Sequence, residues 1–270
     1  MTENEYNAAE GIRRSDLWKM EDSPEKFLYF LEHPMEQTPA MAFGSACHKM
    51  ILEPADFGNE YAIAPSIDRR TKTGKEEWEA FCNDNEGKTI ISQDDAETMR
   101  GMEEALERCP LANKLIRGKG ESEVAFFWTD PVTGEKCKIK TDRVVTYNRK
   151  KYIVDYKTTQ CAETFRFNSE IWRLGYFMQA GMYAEGYKIA NKKRKLPGFL
   201  FVVQEKKPPY AVNVIEASEE VMKAGVAKFH ELLDRYHSCK TLDMFPGYVQ
   251  DIPNDAFVPG WMEREMEDFE

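Results

Sequence analysis

Two acidic residues and one lysine are spaced so that their side chains can converge on one point. Asp155 and Lys157 lie in the stretch 152–159, whose β-branched and aromatic residues predict a β-strand. Because strand side chains alternate between two faces, Asp155 and Lys157 share a face and stand about 7 Å apart along it. Asp142, which ends the preceding predicted strand, can lie on that face too if the two strands pair antiparallel.

Three strands would present these side chains. The predicted strands cover residues 123–128, 138–142 and 152–159. Asp130, Pro131 and Gly134 predict the turn between the first two strands, and residues 148–151 predict the second turn. Glu121 and Glu123, at the start of the first strand, are both candidates for a further carboxylate at the same point.

Such a cluster of charges suits one kind of chemistry. Carboxylates held close together repel one another, which raises their pKa values unless a cation neutralises them. Oxygen ligands favour Mg²⁺ or Mn²⁺, and Mg²⁺ is usually held by one or two carboxylates together with waters and phosphate oxygens. A lysine two residues beyond a metal-binding carboxylate can orient, or take a proton from, a metal-bound water directed at a phosphorus atom. The pattern therefore indicates phosphodiester hydrolysis.

These residues also resemble a known signature. Asp142 followed by Asp155-Tyr156-Lys157 is similar to the PD-(D/E)XK nuclease motif, with Thr141 where that motif has proline. A wider set of short motifs resembles the nuclease domain of RecE-like exonucleases, over about residues 6–187. That set comprises Gly44-Ser-Ala-Cys-His48, Leu52-Glu-Pro54, Ala64-Pro65, Arg69-Arg-Thr71, Gly74-Lys-Glu-Glu77, Glu123, Trp128, Asp130-Pro131, Thr133-Gly134, Val154-Asp-Tyr-Lys-Thr-Thr159 and residues 179–183.

The resemblance implies a role for each member of the site. It implies Mg²⁺ as cofactor, with Mn²⁺ able to substitute, and two ions about 4 Å apart in the site. It implies Lys157 as the residue that positions or deprotonates the attacking water. The implied metal ligands are His48, Glu123, Asp142, Asp155 and the backbone carbonyl of Tyr156.

Two further segments are predicted to touch DNA. Gln179 and Tyr183 are four residues apart on a helix predicted over residues 169–190, so they share a helix face. They resemble the Q-x-x-x-Y motif of RecB-like nucleases, which implies that both face the cleft and contact DNA or steady the metal ligands. Ahead of the strands lies a compact basic run, which we predict to be a loop that is either solvated or holds the DNA backbone near the entrance. Its residues are Arg69, Arg70, Lys72 and Lys75.

The composition restricts the class of protein but does not indicate its function. The chain has 270 residues, a net charge of −10, 42% hydrophobic and 31% charged residues, which is ordinary for a soluble protein. We expect a cytoplasmic protein, because no apolar run is long enough to span a bilayer and the first residues lack the features of a signal peptide. The six cysteines form no C-x-x-C pair, which argues against a zinc or iron–sulfur site and fits reduced thiols.

The order of predicted elements indicates an α/β fold. We expect one domain over residues 1–270, with a helical lead-in over 1–40, a core over 41–217, and a C-terminal helix and tail over 218–270. Helices, three strands, a helix and further strands fit a central mixed sheet flanked by helices, which agrees with the restriction-endonuclease-like core that the resemblance implies. His230 and His237, on the predicted C-terminal helix, are expected to be surface residues.

The expected function is that of a Mg²⁺-dependent DNA exonuclease. The resemblance implies degradation of one strand of duplex DNA from its 5′ end, leaving a 3′ overhang for a RecT-like single-strand annealing protein. It also implies a ring-shaped trimer or tetramer and a phage or prophage source. Two alternatives remain at this point: a RecB-like nuclease selective for single strands or particular DNA structures, and a catalytically silent module that binds DNA ends.

Overall fold

The molecule is organised around one five-stranded sheet. The computed structural model describes residues 1, 3–33, 38–248, 253, 255–258 and 262. The strands of the main sheet are β3 (Gly120–Thr129), β4 (Lys136–Tyr147), β5 (Lys150–Thr159), β6 (Gly198–Glu205) and β7 (Val212–Glu216). They lie side by side in chain order, with β5 and β6 parallel and every other neighbouring pair antiparallel. The predicted mixed sheet is therefore confirmed.

Two tight turns fix the register of the first three strands. In the first turn, Asp130 Oδ1 accepts hydrogen bonds from the backbone amides of Val132 and Thr133, at 3.1 and 2.8 Å. Gly134 completes that turn with a φ of 74°, a left-handed conformation that suits glycine. In the second turn, Asn148 and Arg149 both have positive φ, at 47° and 65°, as a two-residue hairpin loop requires.

Helices cover both faces of the sheet. Before the sheet, the chain forms α1 (Glu3–Ala8), α2 (Arg14–Leu17), a 3-10 turn (Trp18–Glu21), α3 (Pro24–Glu32), α4 (Pro39–Leu52), α5 (Phe57–Glu60), α6 (Lys72–Asp84), α7 (Gln93–Glu107) and α8 (Pro110–Arg117). After β5 come α9 (Thr164–Arg173), α10 (Tyr176–Ala190) and α11 (Glu219–Leu242). Serine or threonine side chains cap α3, α4, α6, α7 and α11, which is the usual way to satisfy the first amides of a helix.

The alternation predicted for β5 is seen in its packing. Tyr152, Val154 and Tyr156 belong to the core that β5 shares with α4, α7 and α8. Ile153 belongs to the opposite core, together with residues of α9 and α10. Asp155 and Lys157, in phase with Ile153, are therefore directed to the α9 and α10 side of the sheet.

The prediction of one helix over residues 169–190 is wrong, because the chain forms two helices there. The first of them begins earlier, at Thr164, and the break between α9 and α10 lies at Leu174 and Gly175. Gly175 has a φ of 66°, and a Cβ there would lie 2.6 Å from the Trp18 ring. The break therefore depends on a contact with a residue far away in the sequence.

The basic run was also predicted incorrectly as a loop. Thr71 caps α6, so Lys72 and Lys75 lie in its first turn and only Arg69 and Arg70 precede it. A second sheet, in which β1 (Tyr61–Ile63) pairs in parallel with β2 (Thr89–Ile91), precedes α7.

Parts of the predicted domain plan lie outside the described residues, namely 34–37 of the lead-in and most of the tail beyond residue 248. None of the helices in the described part of the chain is long and apolar enough to cross a membrane.

Candidate active site

Asp155 and Lys157 form the centre of the candidate site. The Lys157 Nζ lies 2.7 Å from Asp155 Oδ2, and the Asp155 side chain is almost completely buried. The other oxygen of Asp155, Oδ1, accepts a hydrogen bond of 2.6 Å from Gln179 Nε2 on α10. Burial alone would lower the pKa of Lys157, but Asp155 and Asp142 outweigh burial and hold that pKa above its usual value. Lys157 is therefore an ammonium ion in this arrangement.

Asp142 joins them where the β4–β5 ladder ends. The last paired residues are Arg143 and Val154. Just beyond this pair, the Tyr156 backbone amide donates a hydrogen bond of 2.7 Å to Asp142 Oδ2. The amide of β5 is therefore paired with a side chain of β4 and not with its backbone. Burial and the nearby Asp155 carboxylate raise the pKa of Asp142 to about 7. The two aspartates are thus close enough to repel each other, as the sequence predicted.

Glu123 reaches the site through an unusual backbone conformation. Its φ is 52°, which non-glycine residues rarely adopt. The β3–β4 pairing is interrupted at this residue, between the pair Ser122 and Arg143 and the pair Val124 and Thr141. The Glu123 carboxylate lies 2.5 Å from Lys140 Nζ. Burial and the Asp142 carboxylate raise the pKa of Glu123. Such strain is typical of functional sites.

His48 approaches from α4. Its Nδ1 lies 3.6 Å from Asp142 Oδ2, and its ring meets the Tyr156 ring edge to face, with centroids 5.4 Å apart. Burial and the positive charge of Lys157 lower the pKa of His48. A neutral imidazole is the form that binds metal ions.

A cavity of about 1050 Å³ opens over these residues. Its lining includes His48, Glu123, Lys140 and Lys157, and the two aspartates lie just behind, in contact with His48 and Lys157. A second cavity of about 320 Å³ shares Lys140, Lys157 and Tyr176 with the first, and both Gln179 and Tyr183 line it. The site is therefore open to a large, charged ligand.

Most of the chain matches a family profile described as "PDDEXK-like domain of unknown function (DUF3799)", over residues 14–252. The chain belongs to this family. The superfamily predicted from Asp142, Asp155 and Lys157 is therefore confirmed. No curated protein matches the chain in sequence.

The PDDEXK-like fold also has solved relatives. The crystal structure of a protein named "Putative exonuclease", from Eubacterium rectale, superposes with a TM-score of 0.60 and 13% sequence identity, over 94% of this chain and 96% of that chain. The structure of SSO0001 matches with a TM-score of 0.38 and 13% identity, over 84% of this chain and 76% of that chain, which is too distant to carry an argument. The first likeness shows the fold.

Three residues of this PDDEXK-like site were not singled out from the sequence. Lys140 precedes Asp142 by two residues, so strand alternation alone places it on the same face. Tyr176 lies under Lys157, with Nζ 5.0 Å from the ring centroid. Arg14 lines the smaller cavity, and its guanidinium donates a hydrogen bond to the Leu174 carbonyl. Because Arg14 is distant in sequence from the other site residues, no local pattern could have indicated it.

The four basic residues of the predicted DNA-holding run do not line either cavity, as far as the described residues show. Arg70 forms a salt bridge of 2.9 Å with Asp68, and Arg69 lies over the Trp78 ring at 4.4 Å. Lys72 lies 3.9 Å from Glu76, and Lys75 is exposed. Contact between this run and DNA stays a prediction.

A divalent metal ion would suit the negative charge of the PDDEXK-like site, although two lysines already pair with two of its carboxylates. No three histidine, cysteine or acidic side chains among the described residues are clustered closely enough to hold an ion. Asp155 is held by Lys157 and Glu123 by Lys140. Asp155 Oδ2 is buried and is held by the Lys157 ammonium at 2.7 Å, so an ion that uses this oxygen would have to share it with Lys157 or displace the ammonium. A divalent ion would supply the positive charge that the raised pKa values of Asp142 and Glu123 call for.

Proposed function

We propose that the protein is a metal-dependent DNA exonuclease of the RecE type. The observation that carries the proposal is the meeting of Asp142, Asp155 and Lys157 at the end of the β4–β5 ladder, beneath an open cavity. A structural role alone gives no reason to bury two carboxylates side by side, because their repulsion destabilises the fold. The PDDEXK-like family and the exonuclease named among its structural neighbours support the same reaction.

Each residue has a role in this proposal. Asp142, Asp155, Glu123 and His48 would hold the metal ions, together with the backbone carbonyl of Tyr156. When bound, Mg²⁺ or Mn²⁺ would lower the pKa of a water and neutralise charge on the scissile phosphate. Gln179 and the Tyr156 amide hold the two aspartates in place through hydrogen bonds of 2.6 and 2.7 Å, so that both carboxylates are oriented before substrate arrives.

Lys157 is proposed to position the attacking water. In the metal-free protein the Asp155 and Asp142 carboxylates hold the pKa of Lys157 above its usual value, so its ammonium can donate a hydrogen bond to the water and neutralise charge as it builds up at phosphorus. A metal ion on the same carboxylates would offset their effect on the pKa of Lys157, so removal of a proton from the water by Lys157 stays the alternative role. The proton released by the water would go to solvent, to a phosphate oxygen or to Lys157.

The finer features of the proposed function come from the resemblance to RecE-like exonucleases. They are attack on the ends of duplex DNA, 5′ to 3′ direction, release of a 3′ overhang to a single-strand annealing protein, and a ring of three or four subunits. The cavity of about 1050 Å³ is large enough to admit one strand of nucleic acid.

Labelled DNA tests the proposal. The protein is incubated with Mg²⁺ and three substrates: duplex DNA labelled at either end, single-stranded DNA, and closed circular duplex. Mononucleotides released first from the 5′ label, with the circle left intact, are the expected result. Cutting of the circle would contradict an exonuclease, and preference for single strands would favour the RecB-like alternative. No cleavage with either Mg²⁺ or Mn²⁺ would favour a silent DNA-end-binding module.

A further inference from the structure

The outward face of α9 carries aromatic and basic side chains that the proposed chemistry does not use. Phe165 is 79% exposed and Trp172 is 44% exposed. They are seven positions apart in the sequence, so they lie on the same side of the helix about 10.5 Å apart along its axis. Arg166, Ser169 and Arg173 occupy the neighbouring positions of the same face and are exposed as well. Large aromatic side chains in water are costly, and a pair of them flanked by arginines indicates a binding surface.

The charge of this face differs from that of the whole chain, whose net charge is −10. Neither Arg166 nor Arg173 forms a salt bridge with any residue in the described part of the chain. Of the two carboxylates nearest in sequence, Glu163 accepts the Phe165 and Arg166 backbone amides at 2.9 and 3.0 Å and also attracts the Arg166 guanidinium electrostatically. Glu170 accepts the Thr159 hydroxyl at 3.0 Å. The Arg173 guanidinium, and the Arg166 guanidinium in competition with Glu163, can therefore bind an anion.

The C-terminal end of α9 adjoins the candidate active site, whereas the five exposed side chains of its outward face are not among the residues that line the two cavities. At the end of α9, the Leu174 carbonyl accepts a hydrogen bond from Arg14, which lines the smaller cavity. The Arg14 guanidinium lies 5.8 Å from the centroid of the Tyr176 ring, and Lys157 lies 5.0 Å from that ring. Trp172 is held against Phe177, with ring centroids 4.7 Å apart. The side chains of Arg14 and Tyr176 thus lie between Lys157 and the end of α9 that carries Trp172.

We propose that Phe165, Arg166, Ser169, Trp172 and Arg173 on α9 bind the single strand of DNA that adjoins the scissile phosphate. Bases stack on exposed aromatic rings regardless of sequence, and arginines beside the rings bind the phosphates. This inference rests on the proposed function for the identity of the substrate. A nuclease acting from duplex ends needs such a surface, because one strand must leave its partner before it reaches the metal site.

Binding to a fluorescent oligothymidylate in EDTA tests the proposal without cleavage. The Phe165→Ala, Trp172→Ala double variant should bind at least tenfold more weakly than the wild-type protein. Tyr29→Ala is the matched control, because Tyr29 is 57% exposed on α3, and it should bind as the wild type does. Wild-type affinity in the double variant would overturn the proposal.

Salt dependence tests the arginines separately. Replacing Arg166 and Arg173 with glutamine should lower the slope of log K against log salt by about 1.4, since each contact with a single-strand phosphate contributes about 0.7. Arg100 and Arg149 are exposed on other elements, and their double glutamine variant should keep the wild-type slope. An equal slope in both variants would contradict the role of α9.

Two further measurements separate the possible failures. Bromodeoxyuridine in the oligonucleotide should crosslink under light to the peptide that contains Phe165 and Trp172, and crosslinks confined to other peptides would overturn the proposal. A change of subunit number in the aromatic double variant, with unchanged DNA binding, would overturn it in favour of contact between copies. If the wild-type protein binds through α9 yet cuts no DNA with Mg²⁺ or Mn²⁺, the proposed function fails and the α9 surface stands.

Discussion

A substitution of Lys157 should affect catalysis without abolishing metal binding. Lys157→Gln removes the donor to the attacking water, so cleavage should fall at least about a hundredfold. Mn²⁺ binding should persist, because the carboxylates remain and a competing positive charge is lost. Lys151, exposed on the same strand, provides the control Lys151→Gln, which should cleave at the wild-type rate. Cleavage by Lys157→Gln at that same rate would show that Lys157 is not part of the catalytic machinery.

In the proposed metal site, Lys140 would compete with metal ions for Glu123. Its Nζ lies 2.5 Å from the Glu123 carboxylate, so an ion that uses Glu123 must displace it. Lys140→Gln should therefore tighten Mn²⁺ binding about tenfold, which is about 1.4 kcal/mol, as measured by calorimetry. Lys136→Gln, an exposed change on the same strand, should leave the affinity unchanged. Weaker Mn²⁺ binding in Lys140→Gln would mean that Lys140 supports the site rather than competing with the metal.

Asp142 should make the metal-free protein less stable as pH rises. Its pKa is raised from 3.8 to about 7 in the folded protein, so the unfolded chain gives up this proton at lower pH than the folded chain does. The contribution of Asp142 to the free energy of unfolding is zero below about pH 4 and becomes more destabilising up to about pH 7. Above that pH it is constant, at a loss of a few kcal/mol.

Asp142→Asn should remove this loss of stability. In EDTA at pH 8 the variant should unfold at a higher temperature than the wild type, and at pH 4 the two should be nearly equal. Mg²⁺ should stabilise the wild type at pH 8 and the variant much less, since the variant lacks one metal-binding carboxylate. Parallel stability curves for the two proteins between pH 4 and 8 would show that Asp142 is not destabilised in the folded state.

At the scale of elements, the break between α9 and α10 positions Gln179. Gly175→Ala places a methyl group against the Trp18 ring and also strains a positive φ, so it should destabilise the protein by about 3 kcal/mol. Gly134 has a similar φ, but a Cβ there would meet no atom within 4 Å. Gly134→Ala should therefore destabilise the protein by only about 1 kcal/mol. Chemical denaturation measures both. Equal losses would show that the contact with Trp18 contributes nothing.

Local patterns in the sequence predicted the sheet better than the helices. Turn residues and strand alternation located β3, β4 and β5 and placed Asp142, Asp155 and Lys157 on one face. The same patterns missed the break at Gly175, because a single glycine inside an apolar stretch is compatible with a continuous helix. They also missed Arg14, whose place is set by packing against Trp18 and Tyr176, at 5.5 and 5.8 Å from the ring centroids.

The two histidines of α11 have partners that the sequence did not indicate. His230 and His237 are partly exposed, as expected of surface residues, and they lie 2.8 Å from Glu185 and 2.9 Å from Glu135. Their partners come from α10 and from the end of the β3–β4 turn. Only the folded arrangement brings these elements together, so no spacing along the chain could have indicated the pairs.

For the whole molecule, the distribution of charge matters more than its sum. A net charge of −10 would repel DNA at long range, so the proposed binding would have to come from local groups such as Arg14, Lys140 and Lys157 at the cavities, from the proposed metal ions, and from the arginines of α9. Screening by salt acts on both the repulsion and the local attraction.

We propose that the cluster of Asp142, Asp155 and Lys157 cuts DNA with the help of a divalent metal ion. Digestion of linear duplex DNA by the wild-type protein and by Asp155→Asn, each with Mg²⁺ and with excess EDTA, tests this proposal in one experiment. Only the wild type should digest the DNA, and only with Mg²⁺. Digestion by Asp155→Asn at the wild-type rate, or digestion by the wild type in EDTA, would show that the cluster is not a metal-dependent catalytic site.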